Sequence, residues 1–442
     1  MKDKKVLKIC AAVFGALAIA LAAFFAGFFI HGCTRPGGAA SYEWVLDMIE
    51  KNYYFGGVDK DYTGTSINAI TEKYLDRYSQ YYTAEQYEQV KKSNAGSKSG
   101  IGISYAFVEG KGVYVSSVVC NSPAYISGLR AGEWLESGSA GGKDVAFSSA
   151  SDVAKLFGGA GDGEEIKLFS TDGAEYTVAK SEYTASYTYM CTNATAWAFG
   201  DAAGGGLALY EKPTDKISYL PDGAAYIRLT QFYGSAAKEF SVLVEKFNAL
   251  ECTSLILDLR SNGGGYVSVM QEIAGAFADG AKKIAMLSRD KHGDEESYYC
   301  AKVTNAERRI SKDTEVYVLA NGGTASASEA LMGAMICYGA LKYENIFLSQ
   351  YSDEYKTWLE KTGQELKDAR TYGKGIMQST FENPSTGEAL KLTTAKIFWP
   401  DGKTSIHDRG VLLSDGCKAA PAAWQHTKGD EELKGVVAQI IG

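Results

Sequence analysis

Val316-Tyr317-Val318-Leu319-Ala320-Asn321-Gly322-Gly323-Thr324-Ala325-Ser326-Ala327-Ser328-Glu329 is the stretch that decides how this chain is read. The apolar run from Val316 to Ala320 suits a buried strand, Asn321-Gly322-Gly323 a turn, and the Ala-rich segment from Ala327 to Tyr338, halted by Gly339, a helix. Strand, turn and helix in that order make a unit of an α/β sheet. Ser326 falls at the helix start, where unpaired backbone N–H groups and the positive end of the dipole favour a developing oxyanion. Capping the helix is the plainer role for Ser326 and Ser328.

Working outward, residues 184–442 alternate strands and helices. Ala224 to Leu229 reads as a strand, then Ser235 as a cap, with Phe240, Leu243, Val244 and Phe247 along one helix face. A second strand, Leu255-Ile256-Leu257-Asp258-Leu259-Arg260, runs into Ser261-Asn262-Gly263-Gly264-Gly265, a turn at the place where open α/β sheets carry their sites. Farther on stands Thr371-Tyr372-Gly373-Lys374-Gly375-Ile376-Met377-Gln378. A serine hydroxyl is a weak nucleophile until a base takes its proton. The usual base is histidine, but none of the four histidines lies in either stretch. A desolvated lysine can serve instead, and Gly373 and Gly375 permit close packing around Lys374.

These two stretches resemble the signature of the C-terminal processing peptidases, or tail-specific proteases, S-A-S-A-S-E followed by F-G-K-G-x-x-Q. The resemblance implies Ser326 as nucleophile, Lys374 as general base and Gln378 as the residue that orients the lysine. Thr324 and Tyr372 depart from the pattern outside that set. The turn at Asn262 is similar to the family's D-L-R-x-N-x-G-G, which implies oxyanion donors at the N–H groups of Gly264 and Ala327. Lys391 to Lys396 and Pro400 to Ile406 resemble the strand and hairpin closing the family's catalytic domain. Asn121-Ser122-Pro123-Ala124 and Ser127 to Gly132 resemble an element of PDZ domains. The resemblance implies that the loop Gly100-Ile101-Gly102-Ile103 holds a peptide carboxylate while the peptide adds as a strand. Asp76-Arg77-Tyr78-Ser79-Gln80-Tyr81-Tyr82-Thr83 is similar to the stretch ahead of that module, and the helices there imply association with another subunit.

The chain has 442 residues, is 45% hydrophobic and carries a net charge of −8. Such a chain buries a substantial core in two or three domains, and no basic stripe invites nucleic acid. Leu7 to Ile30 is apolar apart from Lys8, follows Lys2, Lys4 and Lys5, and is long enough to span a bilayer with the remainder exported. An uncleaved anchor and a cleaved signal with lipidated Cys33 both fit, the anchor better because His31 is unusual ahead of a lipidated cysteine. None of the eight cysteines pairs at metal-ligand spacing, and no His-Glu-x-x-His occurs, so neither a metal nor another cofactor is expected. Export permits disulfides, with their pairing open.

The expected architecture is mixed α/β in four parts: a signal anchor or lipoprotein-type signal over 1–34, a helical segment over 42–95, a PDZ-like β-rich domain over 96–183 and the catalytic domain over 184–442. The expected activity is that of a membrane-tethered, extracytoplasmic serine endopeptidase acting near the C-termini of protein substrates. Two features depart from the family. Ser326 and Lys374 are 48 positions apart, with extra length over about 349–370 where Tyr355, Leu359 and Leu366 suggest a short helix, either a lid or an inert insertion. Cys337 stands where some members carry Asp. Two rival readings stay open. One is a silent membrane-anchored adaptor. The other is a penicillin-binding-protein-like enzyme built on Ser235-Ala236-Ala237-Lys238, Tyr343-Glu344-Asn345 and Lys361-Thr362-Gly363.

Overall fold

A computed structural model describes residues 39–56, 66–278, 282–350, 369–423 and 430–441. The expected anchor, Cys33, the suggested helix around Leu359 and Lys361-Thr362-Gly363 lie outside them. Among the described residues no helix is long and apolar enough to cross a membrane.

In chain order the N-terminal part runs α1 (Ala39–Asn52), α2 (Ile67–Tyr74), β1 (Gln80–Tyr82) and α3 (Ala84–Asn94). The middle part is β2 (Ser97–Gly100), β3 (Ile103–Val108), β4 (Gly112–Val118), α4 (Pro123–Ile126), β5 (Trp134–Ala140), β6 (Lys143–Ala146), α5 (Ala150–Gly159), β7 (Glu165–Ser170), β8 (Glu175–Ala179) and β9 (Ser181–Thr184). Then follow β10 (Thr188–Cys191), β11 (Ala196–Asp201), β12 (Leu207–Glu211), β13 (Ala224–Leu229), α6 (Ala236–Ala249), β14 (Ser254–Asp258), α7 (Val267–Phe277), β15 (Ile284–Arg289) and β16 (Glu295–Tyr299). The chain closes with β17 (Glu315–Ala320), α8 (Ala327–Cys337), β18 (Ile346–Gln350), β19 (Ile376–Glu382), β20 (Ala389–Phe398), β21 (Lys418–Ala423) and α9 (Glu431–Ile441).

The main sheet has the order β12-β11-β10-β13-β14-β17-β18-β21 among the described residues, and β13, β14, β17, β18 and β21 run parallel. Parallel strands are covered on both faces, which is why these read as continuous apolar runs. Ala225, Ile227, Leu255, Leu257, Val316 and Val318 point into one core with α6, α7 and α8. Their alternates Tyr226, Ile256, Tyr317 and Leu319 point into a second core with Leu433 and Val436 of α9. Because β14 and β17 are parallel neighbours, the turns after their carboxyl ends, Leu259–Gly265 and Asn321–Ser326, emerge side by side. Sequence alternation thereby fixes where the two turns meet.

The second sheet runs β1-β20-β15-β16, with β19 also on β20. Leu390 and Leu392 of β20 pack beneath Val45, Ile49, Ile67 and Ile70, so the N-terminal helices rest on this second sheet. Among the described residues of the 42–95 stretch, α1, α2 and α3 are helices and β1 joins this sheet. The middle part forms a sheet β3-β4-β5-β7-β8, with β6 on β5 and a core of its own, entered and left through the β2–β9 ribbon. Pro400–Ile406 is a turn closed by the Trp399 N–H on the Thr404 carbonyl at 2.9 Å, where a hairpin was expected.

Candidate active site

The turn that carries Ser326 is built by side chains of its own and of the neighbouring turn. Asn321 Oδ1 accepts the N–H groups of Ser261 and Gly323 at 2.8 and 2.9 Å. Thr324 Oγ1 donates to the Leu259 carbonyl, and Ala325 N–H and Ser328 Oγ both donate to the Asn262 carbonyl at 2.9 Å. These bonds hold Ser326 at φ 58°, ψ −115°, ahead of α8. A non-glycine residue there costs roughly 1–3 kcal/mol, and such strain collects at functional sites. Glycine is required opposite it. A Cβ on Gly264, at φ 95°, would lie 2.9 Å from Ala325 O, Ala327 N and Ser326 Cβ.

One carboxylate connects this turn to the one bearing Lys374. Glu329 is fully buried in the first turn of α8. Its Oε2 accepts the Ser326 N–H at 2.9 Å and the Lys374 N–H at 3.0 Å, while Oε1 accepts Thr371 Oγ1 at 2.5 Å and the Gly373 N–H at 2.8 Å. Burial pushes the Glu329 carboxyl above its ordinary value, and the four hydrogen bonds oppose that shift. The turns are therefore held together by an acceptor between them. Glycines allow the approach from behind: a Cβ on Gly375 would lie 2.6 Å from His407 N, and one on Gly373, at φ 85°, 2.9 Å from Gly410 N.

The Lys374 ammonium lies 4.5 Å from the centre of the Tyr78 ring. The Tyr78 hydroxyl meets that of Tyr372 at 2.9 Å and accepts from Arg77 at 2.8 Å. Burial is the largest cause that brings Lys374 down from its ordinary 10.5 to about 8; Lys391 adds to the shift, while Asp76 and Glu329 oppose it. A substantial neutral fraction near physiological pH is what a lysine base requires. Lys374 rests over Tyr78, and no hydrogen bond links it to the Ser326 hydroxyl among the described residues.

The turns bearing Ser326, Lys374, Gly264 and Ala327 thus lie together. The Gly264 N–H is already engaged, donating to Asn262 Oδ1 at 3.0 Å. The Ala327 N–H has no acceptor among the described residues. Gln378 lies on β19 just past a bulge, its amide donating to Thr393 Oγ1 at 3.0 Å and so directed to β20. Gly100, Ile101, Gly102 and Ile103 belong to the middle body. There the carbonyls of Ile101 and Gly102 accept from Ala124 and Val119, and a Cβ on Gly102 would meet Ser122 Cβ at 2.1 Å. Cys337 ends α8, eleven residues from Ser326, so about 16 Å of helix separates them and it is no part of the site. The six described cysteines are free thiols. Ser235 donates to Glu239 at 2.5 Å, which commits its hydroxyl to a buried carboxylate instead of to Lys238. Glu329, Asn262, Asp76, Tyr78 and Lys391 stand within the quoted stretches, but the sequence assigns them no role. For Glu329 a signal existed, since Ser326-Ala327-Ser328-Glu329 fits the capping-box pattern S-x-x-E.

Residues 223–341, which contain both the Gly264 turn and the Ser326 turn, match the model of peptidase family S41. This segment belongs to family S41. Full-length comparison finds a probable CtpA-like serine protease of Staphylococcus epidermidis, 24% identical over 369 residues, covering 84% of this chain and 63% of that protein. A probable CtpA-like serine protease of Staphylococcus haemolyticus is 25% identical, with 84% and 62% covered. The chain therefore spans less than two thirds of the length of these relatives. Among solved structures, a putative S41 protease from Bacteroides fragilis shares the fold, with a TM-score of 0.53, 14% identity, and coverage of 90% of this chain and 97% of that one. The S41 segment ends at residue 341, so the Lys374 turn lies beyond it.

Proposed function

We propose that the chain is a serine endopeptidase in which Ser326 attacks the scissile carbonyl and Lys374, as the neutral amine, takes the hydroxyl proton. The observation that carries this reading is the Glu329 carboxylate, which fixes the backbones of Ser326 and Lys374 on one oxygen. The oxyanion forms at the start of α8, where the Ala327 N–H is open to it. The acyl-enzyme follows as Lys374 returns the proton to the leaving amine. Lys374 then removes a proton from water for deacylation.

Substrate capture falls to the middle body acting as a PDZ-like module. Its β3 is an edge strand of the sheet, it follows the Gly100–Gly102 loop, and Tyr105 on it packs 5.1 Å from Phe157 of α5. A substrate's C-terminal segment adds to that edge as a further strand, its carboxylate at the loop. The apolar run over 7–30 tethers the enzyme to the membrane with these bodies outside.

Incubating an unfolded exported protein with wild type, Ser326→Ala and Lys374→Ala tests the reading. Cleavage by wild type alone is expected. If wild type cuts nothing while tail peptides still bind, the chain is an adaptor and not an enzyme.

A further inference from the structure

A second lysine lies beside the turn on which Lys374 rests. The β19–β20 register sets Gln378 opposite Thr393 and Thr380 opposite Lys391. Cross-strand partners share a face, as do residues two apart, so Lys391 projects on the side of Gln378 and Thr393. Leu390 and Leu392 project on the other side, into the N-terminal helices. Along the other edge of β20, β1 places Gln80 opposite Lys391. Two residues before Gln80 is Tyr78, the ring on which Lys374 rests. Both lysines therefore converge on the turn Asp76–Ser79.

That turn supplies one carboxylate. Asp76 Oδ1 accepts the N–H groups of Tyr78 and Ser79 at 3.2 and 2.9 Å. Its Oδ2 is buried and has no hydrogen-bond partner among the described residues. The Lys391 amine has no hydrogen-bond or ion-pair partner among the described residues. The charged and titratable groups facing Lys374 are Lys391 from β20, Asp76, Arg77 and Tyr78 from the turn before β1, and Glu329 from α8. Tyr372 from its own turn bonds to Tyr78, and His407 lies behind Gly375. With two amines before one free carboxylate oxygen, carrying both positive charges is costly, and one amine gives up its proton at lower pH.

We propose that Lys391 is a positioning residue for the base: a second cation on β20 that lowers the proton affinity of Lys374, with Asp76 offsetting its charge. The inference rests on the dyad reading and deepens it. Burial lowers both amines and Asp76 raises both, while the charge of Lys391 adds to the lowering at Lys374.

The test uses the full chain and two measurements. Trace acylation of lysine amines with acetic anhydride, followed by peptide mass spectrometry from pH 6 to 11, reports the protonation midpoint of Lys374 without requiring activity. The midpoint should rise by roughly one pH unit in Lys391→Met and stay in place in Lys391→Arg. In Asp76→Asn it should fall, which keeps the inference testable where Lys391→Met does not fold. The pH profile of kcat/KM on an unfolded substrate should shift in the same directions. An unmoved midpoint in folded Lys391→Met, or in Asp76→Asn, overturns the inference. If wild type cuts nothing, the peptidase reading falls, and the acylation midpoints still decide the role of Lys391.

Discussion

Glu329 is the residue on which the most depends. Replacing it with Gln keeps its size but gives one oxygen acceptor and an N–H₂ group turned toward groups that themselves donate. Glu329→Gln should lower stability by about 2–4 kcal/mol, read by denaturant melts, and cut kcat at least 100-fold. Lys374 gives a pH prediction whose sign is fixed. A base works only when deprotonated, so kcat/KM should be lost as pH falls through about 8, whereas an ordinary lysine would place that midpoint near 10.5. At this scale the sequence was informative about Ser326 and Lys374, because each sits in a short pattern with local cues. It was silent about Tyr78 and Lys391, whose part depends on a strand pairing between residues more than 300 positions apart.

Among elements, the Gly263–Gly265 turn and α8 behave as one unit. Gly264→Ala would force a Cβ to within 2.9 Å of Ser326 Cβ and Ala327 N at φ 95°. It should cost about 1–3 kcal/mol and at least 100-fold in activity, because the clash moves the serine turn itself. The strands β13, β14 and β17 and the helices α6 and α8 were legible from apolar runs and helical spacing. β1 was not, since three residues between helices carry too little periodicity to declare a strand. The Gly264 N–H illustrates a second limit: a sequence pattern names a donor but not the acceptor, Asn262 Oδ1, that already holds it. Cys337, which stands where some family members carry Asp, lies at the far end of α8, about 16 Å of helix from Ser326.

On the scale of the whole molecule, the C-terminal helix is joined to the main sheet by buried charge. Arg260 is 1% exposed and binds Asp258, Asp430 and Glu432 at 2.6, 2.5 and 3.2 Å. Burial raises the Glu432 carboxyl from 4.5 to about 7, against the pull of Arg260. A raised carboxyl gives stability that is fully present below about pH 4.5 and is lost as pH rises through about 7. Melting temperatures of wild type should therefore fall across that window, and Glu432→Gln, which cannot ionise, should flatten the change. This clamp joins Asp258 to residues more than 170 positions away, and no local pattern marks it. The layered α/β arrangement with a separate β-rich body was legible, because core alternation and turn spacing recur along whole segments.

The central claim is that Lys374 activates Ser326, and labelling with a fluorophosphonate probe followed by peptide mapping tests it most directly. The adduct should sit on Ser326, form at a rate that rises through about pH 8, and nearly vanish in Lys374→Ala. Absence of an adduct at Ser326, or a labelling rate unchanged by Lys374→Ala, would contradict the account.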